Sequence, residues 1–494
     1  MTTSTVSRAD RAQQRSLFAP FQATITFIVL GALAPLYVLT LPPAGTGVNV
    51  FLCLIITTIS AAKIAYLIYD GRPRLLNMGF YLFVYPFMGL ASLAQVSAGR
   101  YPLPSVGYSE QTISLTLGVV ICGLLVYEIA YNLGSRRSNI DYSHPTASFS
   151  QGVVIAIGLF AIIYIGYTIA TTGITPFFSS RDDAASALAQ SDVRQVYELT
   201  DKTGFLLRSN LTRIPIFVAL VGMLVMIREQ TWRYGVLGRP ATVAFLSVII
   251  AANILVNNPI ANSRFWFGTV LLTIASIYLN WRRPGQFRLL TYSGLTVFIL
   301  AFGFLDVFRR STATLSVSGP RETFISNGSY SAIQTALNGT TYIAEYSHTW
   351  GEQIVTGIFT FIPRSVWPSK GVDTGELIDP LYNRASTLWT EFYVDFGLVG
   401  VIIGFIAYGA FSTFADNRMP LLGATSAVVA VAGMGVQIIL LRGSLVAAMG
   451  SLYPLLFFFL LAMIGSRRRS PRRKPDALAA VSSRRRRSTH SPIR

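Results

Sequence analysis

Residues 152–172 read GVVIAIGLFAIIYIGYTIATT. No charge falls within these 21 residues. As a helix rising about 1.5 Å per residue, the stretch covers a bilayer hydrocarbon core of roughly 30 Å. In lipid it must be helical, because each backbone donor and acceptor has to be satisfied within the segment. The same signature recurs. Apolar blocks at about 20–41, 47–69, 77–97, 111–133, 152–172, 205–227, 241–257, 264–281, 289–308, 392–414, 420–441 and 444–465 predict an all-α, polytopic membrane protein of about twelve transmembrane helices.

Composition points the same way. Of 494 residues, 52% are hydrophobic and only 13% charged, too few charges to cover a soluble chain of this size. The first block follows Arg8, Arg11 and Arg15, but it is long for a signal-peptide core and lacks a small-residue cleavage site. It reads as a retained span. Cys53 and Cys122 both lie in apolar blocks and read as small buried hydrophobes, with no disulfide or metal framework.

Orientation follows from the positive-inside rule. With segment 1–19 in the cytoplasm, the connections after even-numbered spans carry Arg72 and Arg74, Arg136 and Arg137, Arg228, Arg233 and Arg239, Arg282, Arg283 and Arg288, then Arg418. The odd connection at 42–46 carries no charge. Both termini are then cytoplasmic. Residues 20–465 form the membrane domain, with one large outer loop at about 309–391. Residues 466–494 form a disordered tail holding 11 of the 40 basic residues. The formal charge of +18 therefore reads as a topology signal and an attraction to anionic lipid headgroups, not as nucleic-acid binding. The bias of 36 Arg to 4 Lys, with abundant Ala and Gly, suggests a GC-rich bacterial genome.

Against the topology rule, many cations fall on the outer face, among them Arg213, Arg264, Arg364, Lys370, Arg384 and Arg442. One reading is loop solubility and ion pairing. The other is an anionic ligand such as phosphate, which the planar guanidinium fork grips with two parallel hydrogen bonds. Arg213 lies within an apolar block, where it either snorkels to the headgroups or faces a cavity. Arg264 opens a span after Asn257, Asn258, Pro259 and Asn262, and Arg442 is the only charge in the turn Leu441-Arg442-Gly443-Ser444.

The large loop has a pattern of its own. Read as one helix from Thr341 to Ile362, it places Glu345, His348 and Glu352 within about 60° of each other at 100° per residue. Ile343, Tyr346, Trp350, Ile354 and Phe361 fall opposite. This predicts an amphipathic helix on the membrane surface. Its polar face is either plainly solvated or the source of a general base, Glu345 or His348. A metal is disfavoured, because the other two histidines, His144 and His490, fall on the cytoplasmic side. The run Ile362-Pro363-Arg364-Ser365-Val366-Trp367-Pro368-Ser369-Lys370 follows. An Arg–Trp–Lys cluster suits a sugar phosphate: cations hold the phosphate, and the indole stacks on a sugar face. Trp389, Glu391, Tyr393 and Asp395 open the next span, where aromatics also serve as interfacial anchors. No phosphate-binding loop, dinucleotide fingerprint or nucleophile elbow is present.

Four of these motifs together resemble the O-antigen polymerase, or oligosaccharide repeat-unit polymerase (Wzy-type), family: Asn258-Pro259 through Arg264, the Pro-Arg-Ser-Val-Trp-Pro-Ser-Lys run at 363–370, Thr390-Glu391-Phe392-Tyr393-Val394-Asp395-Phe396-Gly397, and Leu441-Arg442-Gly443-Ser444. The resemblance is confined to roughly 250–450. It implies a GT-C-like membrane glycosyltransferase of the outer leaflet. Such an enzyme transfers glycan from undecaprenyl pyrophosphate to a hydroxyl of a lipid-linked acceptor, without metal or cofactor. It also implies a bacterial cytoplasmic membrane, and a flippase and a chain-length regulator as partners. By matching position, Arg264, Arg364, Lys370 and Arg442 would be pyrophosphate ligands. A ligase of the same architecture and a transporter of lipid-linked sugars stay open as alternatives. Lys63 and Arg213, charges within spans, are what favour transport.

Overall fold

The computed structural model describes residues 18–40, 47–105, 107–135, 148–178, 202–234, 238–301, 319–379, 385–419 and 423–464. Among them, every regular element is helical. In chain order these are α1 (Ala19–Val38), α2 (Gly47–Asp70), α3 (Leu75–Ala98), α4 (Glu110–Ser135), α5 (Gln151–Thr172), α6 (Lys202–Arg228), α7 (Gly238–Val256), α8 (Arg264–Tyr278) and α9 (Pro284–Thr296), which continues into a π turn at Val297–Ala301. Four short helices follow: α10 (Pro320–Ser326), α11 (Ala332–Glu345), α12 (Glu352–Ile358) and α13 (Thr374–Ile378). The chain closes with α14 (Leu388–Arg418), α15 (Ala424–Arg442) and α16 (Leu445–Met463). Among the described residues, ten helices are long and apolar enough to cross a membrane: α1 to α7 and α14 to α16. The chain is therefore a multi-pass α-helical membrane protein. With 15 residues, α8 is about 22 Å long, shorter than a hydrocarbon core.

The packing centres on α3, whose apolar window is buried throughout. Two of its polar side chains donate to carbonyls inside the protein. Tyr85 donates to the Leu30 carbonyl (2.8 Å), and Gln95 Nε2 donates to the carbonyls of Phe324 (2.8 Å) and Tyr330 (2.9 Å). At the other end Asp416 of α14 accepts the first-turn amides of Leu76 (2.8 Å) and Asn77 (3.0 Å) and the Tyr131 hydroxyl (2.9 Å). A helix start buried without such an acceptor would leave orphan donors.

Helix α15 joins two apolar cores. Ala427, Ala430, Val431, Met434, Ile438 and Leu441 face the α3 side, while Val428, Ala432 and Val436 face the core built from α5, α6, α8 and α16. The spacing of three and four within each set is what puts them on separate faces of one helix. Small residues allow close crossings. A Cβ on Gly435 would lie 2.4 Å from Thr269 Cγ2, and one on Gly123 2.4 Å from Trp389 Nε1.

The predicted helix over Thr341–Ile362 does not form. Helix α11 stops at Glu345, and α12 starts at Glu352. Between them the backbone reverses through Trp350 (φ 52°) and Gly351 (φ 95°). The break is stabilised from outside the segment. Asp395 accepts the amides of Gln353 (3.1 Å) and Ile354 (2.8 Å) and the Thr349 hydroxyl. The Thr349 and Trp350 amides donate to the carbonyls of Val394 and Asp395. Nor does α11 lie on a surface: Ala332 to Leu337, Gly339 and Thr340 are all buried, against α3, α4 and α14. The expected apolar stripe survives only as exposed Tyr346, Trp350 and Phe361.

Candidate anion-binding site

Arg213 sits in the second turn of the described side chains of α6 and points into the bundle. Its Nε donates to Asn210 Oδ1 one helical turn earlier (2.9 Å), and Nη1 donates to Asn262 Oδ1 (3.3 Å). The guanidinium lies 5.1 Å from the centroid of the Trp266 ring. Trp266 is in turn fixed by donating to Asn257 Oδ1 (2.7 Å), whose own amide donates to the Arg213 carbonyl (3.1 Å). Asn210 and Asn262 thus form a neutral cradle for the cation, and Asn257 fixes the Arg213 backbone and the Trp266 ring around it. Among the described residues Arg213 makes no ion pair.

Arg264 is the first residue of α8 and is buried. Ser263 caps that helix by accepting the Trp266 amide (3.2 Å). Arg264 acts on Tyr330: burial pushes the Tyr330 phenol above its ordinary range, and the nearby guanidinium opposes that shift. Arg442 is the last residue of α15 and is also buried. Its Nε donates to the Ser329 carbonyl (3.2 Å), and Nη2 donates to the Gly328 carbonyl (3.2 Å) and Ser331 Oγ (2.7 Å). Arg264 and Arg442 therefore converge on the turn at 328–331, while Arg213 meets the loop that leads into α8 at Asn262, two residues before Arg264. These helix ends lie away from the arginine-rich turns at 72–74, 228 and 282.

Carboxylates hold the neighbouring start of α16. Asp373 accepts Ser444 Oγ (2.8 Å), and Glu391 accepts the Leu445 amide (3.1 Å) and Thr374 Oγ1 (2.6 Å). Both acids are buried. Glu391 and Asp395 are four residues apart on α14, so they share a face, and the helix breaks just after them at Phe396 and Gly397 (φ 60°, ψ −147°). Sequence reading passed over Asp373 altogether.

The remaining expected residues separate into two places. Glu345 is exposed at the end of α11, while His348 is half-buried in the following turn, so the shared polar face of Glu345, His348 and Glu352 does not exist. The His348 ring meets Trp350 (6.0 Å between centroids) and Tyr393 (6.2 Å) edge to face. Its Nδ1 is buried and makes no hydrogen bond among the described residues. Arg364 is exposed and donates to the Gly371 carbonyl (3.2 Å). Trp367 donates to Ser369 Oγ (3.1 Å). Lys370 does not project beside them: its ammonium turns inward to the carbonyls of Thr360 (2.9 Å) and Ile362 (2.8 Å). Arg384 lies outside the described residues.

The chain matches no family model, no curated protein and no solved structure.

Proposed function

We propose that the protein is a membrane glycosyltransferase that polymerises lipid-linked oligosaccharide repeat units. Glycan would leave undecaprenyl pyrophosphate for a hydroxyl of a second lipid-linked unit. The observation that carries this reading is the convergence of buried Arg264 and Arg442, at the start of α8 and the end of α15, on one turn at 328–331, with Arg213 of α6 against the loop that enters α8. Buried guanidinium groups in a water-poor site favour a dianionic ligand far more than exposed ones do. A pyrophosphate that develops charge as it leaves is such a ligand.

The finer topology belongs to the same proposal. Helices α8 and α9 would complete twelve spans in a GT-C-like arrangement, the arginine-rich turns would face the cytoplasm with both termini, and residues 319–379 would cap the outer face. A bacterial cytoplasmic membrane, a flippase and a chain-length regulator follow from it. Purified protein incubated with a synthetic lipid-pyrophosphate repeat unit should give longer lipid-linked products, lost in Arg442→Ala. Failure of the folded protein to elongate such a unit would falsify the proposal.

A transporter is the second reading. The ion pair of Lys63 with Glu128, joined by the Tyr81 hydroxyl (2.6 Å), lies within the spans and favours it. Flux of intact lipid-linked substrate through proteoliposomes, without elongation, would select that reading instead.

A further inference from the structure

We infer that the cavity beside the connection from α3 to α4 is a binding site for an uncharged stretch of oligosaccharide. The cavity has a volume of about 620 Å³ and is lined in part by Arg100, Tyr101, Leu103, Ser105, Tyr108 and Glu110. That volume is within the range of about 300–1,000 Å³ typical of small-ligand sites. Its chemistry is mixed. The rings of Tyr101 and Tyr108 meet edge to face, 4.9 Å between centroids, and offer apolar surface to the C–H face of a sugar. The Tyr101 hydroxyl is buried and makes no hydrogen bond among the described residues. Arg100 has donors beyond the one given to Glu322, and Glu110 has a second carboxylate oxygen beside the one that accepts from Asn49, which suits hydroxyl groups able to play either part.

The electrostatics separate this cavity from the arginine corner. Its one guanidinium is already paired with Glu322 (3.2 Å), and Glu110 adds a carboxylate, so little positive charge is left for a phosphate. Yet the two places share a wall. Gln334 grips the backbone of Leu103 through both its amide (2.9 Å) and its carbonyl (2.7 Å). A Cβ on Gly328 would lie 3.3 Å from Leu103 Cδ2, and Arg442 holds the Gly328 carbonyl. A neutral glycan in the cavity would therefore end near the anion held by the arginines. As the acceptor subsite of a transferase, the cavity rests on the reading proposed above; as a glycan site it rests on its own geometry.

The test uses the full-length protein in lipid nanodiscs, probed with an array of defined di- and trisaccharides carrying no phosphate. Wild type should bind a subset. Tyr101→Ala and Ser105→Trp should each weaken that binding by about tenfold or more. Ser105 is exposed, so its tryptophan variant blocks the space without disturbing buried packing. No binding by wild type, or binding that survives Ser105→Trp within about twofold, would overturn the inference. Elongation of a lipid-pyrophosphate repeat unit is measured on the same samples. Cavity-dependent binding without elongation would sink the transferase and leave the glycan site. Elongation with no cavity-dependent binding would do the reverse.

Discussion

Replacing Asp395 with alanine tests how the loop is held over the membrane domain. In the native protein its carboxylate accepts the amides of Gln353 and Ile354 and the Thr349 hydroxyl. The side chain acts as an N-cap for α12 supplied by another helix. Deleting a cap costs about 0.5–2 kcal/mol, and each buried donor left without a partner costs about 1–3 kcal/mol. Two effects reduce the sum. Glu352 is exposed and Ile354 half-buried, so water can reach part of the first turn, and removing a buried carboxylate relieves its own desolvation. A local loss of about 2–3 kcal/mol remains, which multiplies the opening equilibrium of the segment about 30–150-fold. Hydrogen exchange by mass spectrometry on protein in nanodiscs reads this directly. Peptides covering 352–358 should exchange faster by that factor, while peptides from the buried α3 keep their protection. Exchange at 352–358 within about threefold of wild type would show that Asp395 does not hold the break, and the account of why the predicted helix fails would be wrong.

Gly397 adopts φ 60° and ψ −147°, a region costly for any residue with a side chain, and an added Cβ would lie 3.1 Å from His348 Cε1. Gly397→Ala should destabilise by about 1–3 kcal/mol, and part of that loss should vanish in a His348→Ala background; additive effects in a double-mutant cycle would refute the contact. Arg442→Lys keeps the charge but cannot reproduce a fork on Ser329, Gly328 and Ser331, so elongation should fall by at least about tenfold, whereas retention of full rate would show that charge alone suffices. Gly435→Ala forces α8 and α15 apart at Thr269 and should cost about 1–3 kcal/mol, measured as a lower midpoint in chemical denaturation. An unchanged midpoint would place the helix crossing elsewhere.

Ten of the twelve predicted spans were legible, because bilayer thickness sets their length without reference to the rest of the fold. The blocks at 264–281 and 289–308 correspond to α8 and α9, which do not reach that length among the described residues. The block read at 77–97 is α3 at Leu75–Ala98. The loop was not legible in the same way. Its apolar periodicity is present in the sequence, but the hydrogen bonds that decide its path come from Asp395, more than forty residues away. Gly351, which adopts φ 95°, makes the break easier, but a single glycine only weakens a helix and does not forbid one. Lys370 was expected to project with Arg364 and Trp367. Two free carbonyls at 360 and 362 draw its ammonium inward instead, and spacing along the chain cannot register that. Arg213, Arg264 and Arg442 stood out as breaches of a charge rule. The convergence of Arg264 and Arg442 depends on how residues 327–331 fold: Asn327-Gly328 marks a turn there, but the dipeptide does not say which side chains pack on it.

Arg264 sharpens what such a corner would hold. A helix N-terminus carries the equivalent of about half a positive charge, so an arginine on the first residue of α8 opposes the helix dipole. Arg442, at the C-terminus of α15, is in the favourable place. A cation kept where its own helix repels it gains from an anion that both can bind, as helix N-termini bind phosphate. Arg213 contributes to the same field while its hydrogen bonds go to neutral asparagines, leaving its charge uncompensated by any carboxylate partner among the described residues. The acids Asp373 and Glu391 hydrogen-bond to Ser444, Leu445 and Thr374, so they fix the start of α16 directly after the turn that carries Arg442, and it is the dipole opposing Arg264 that bears on the proposed anion.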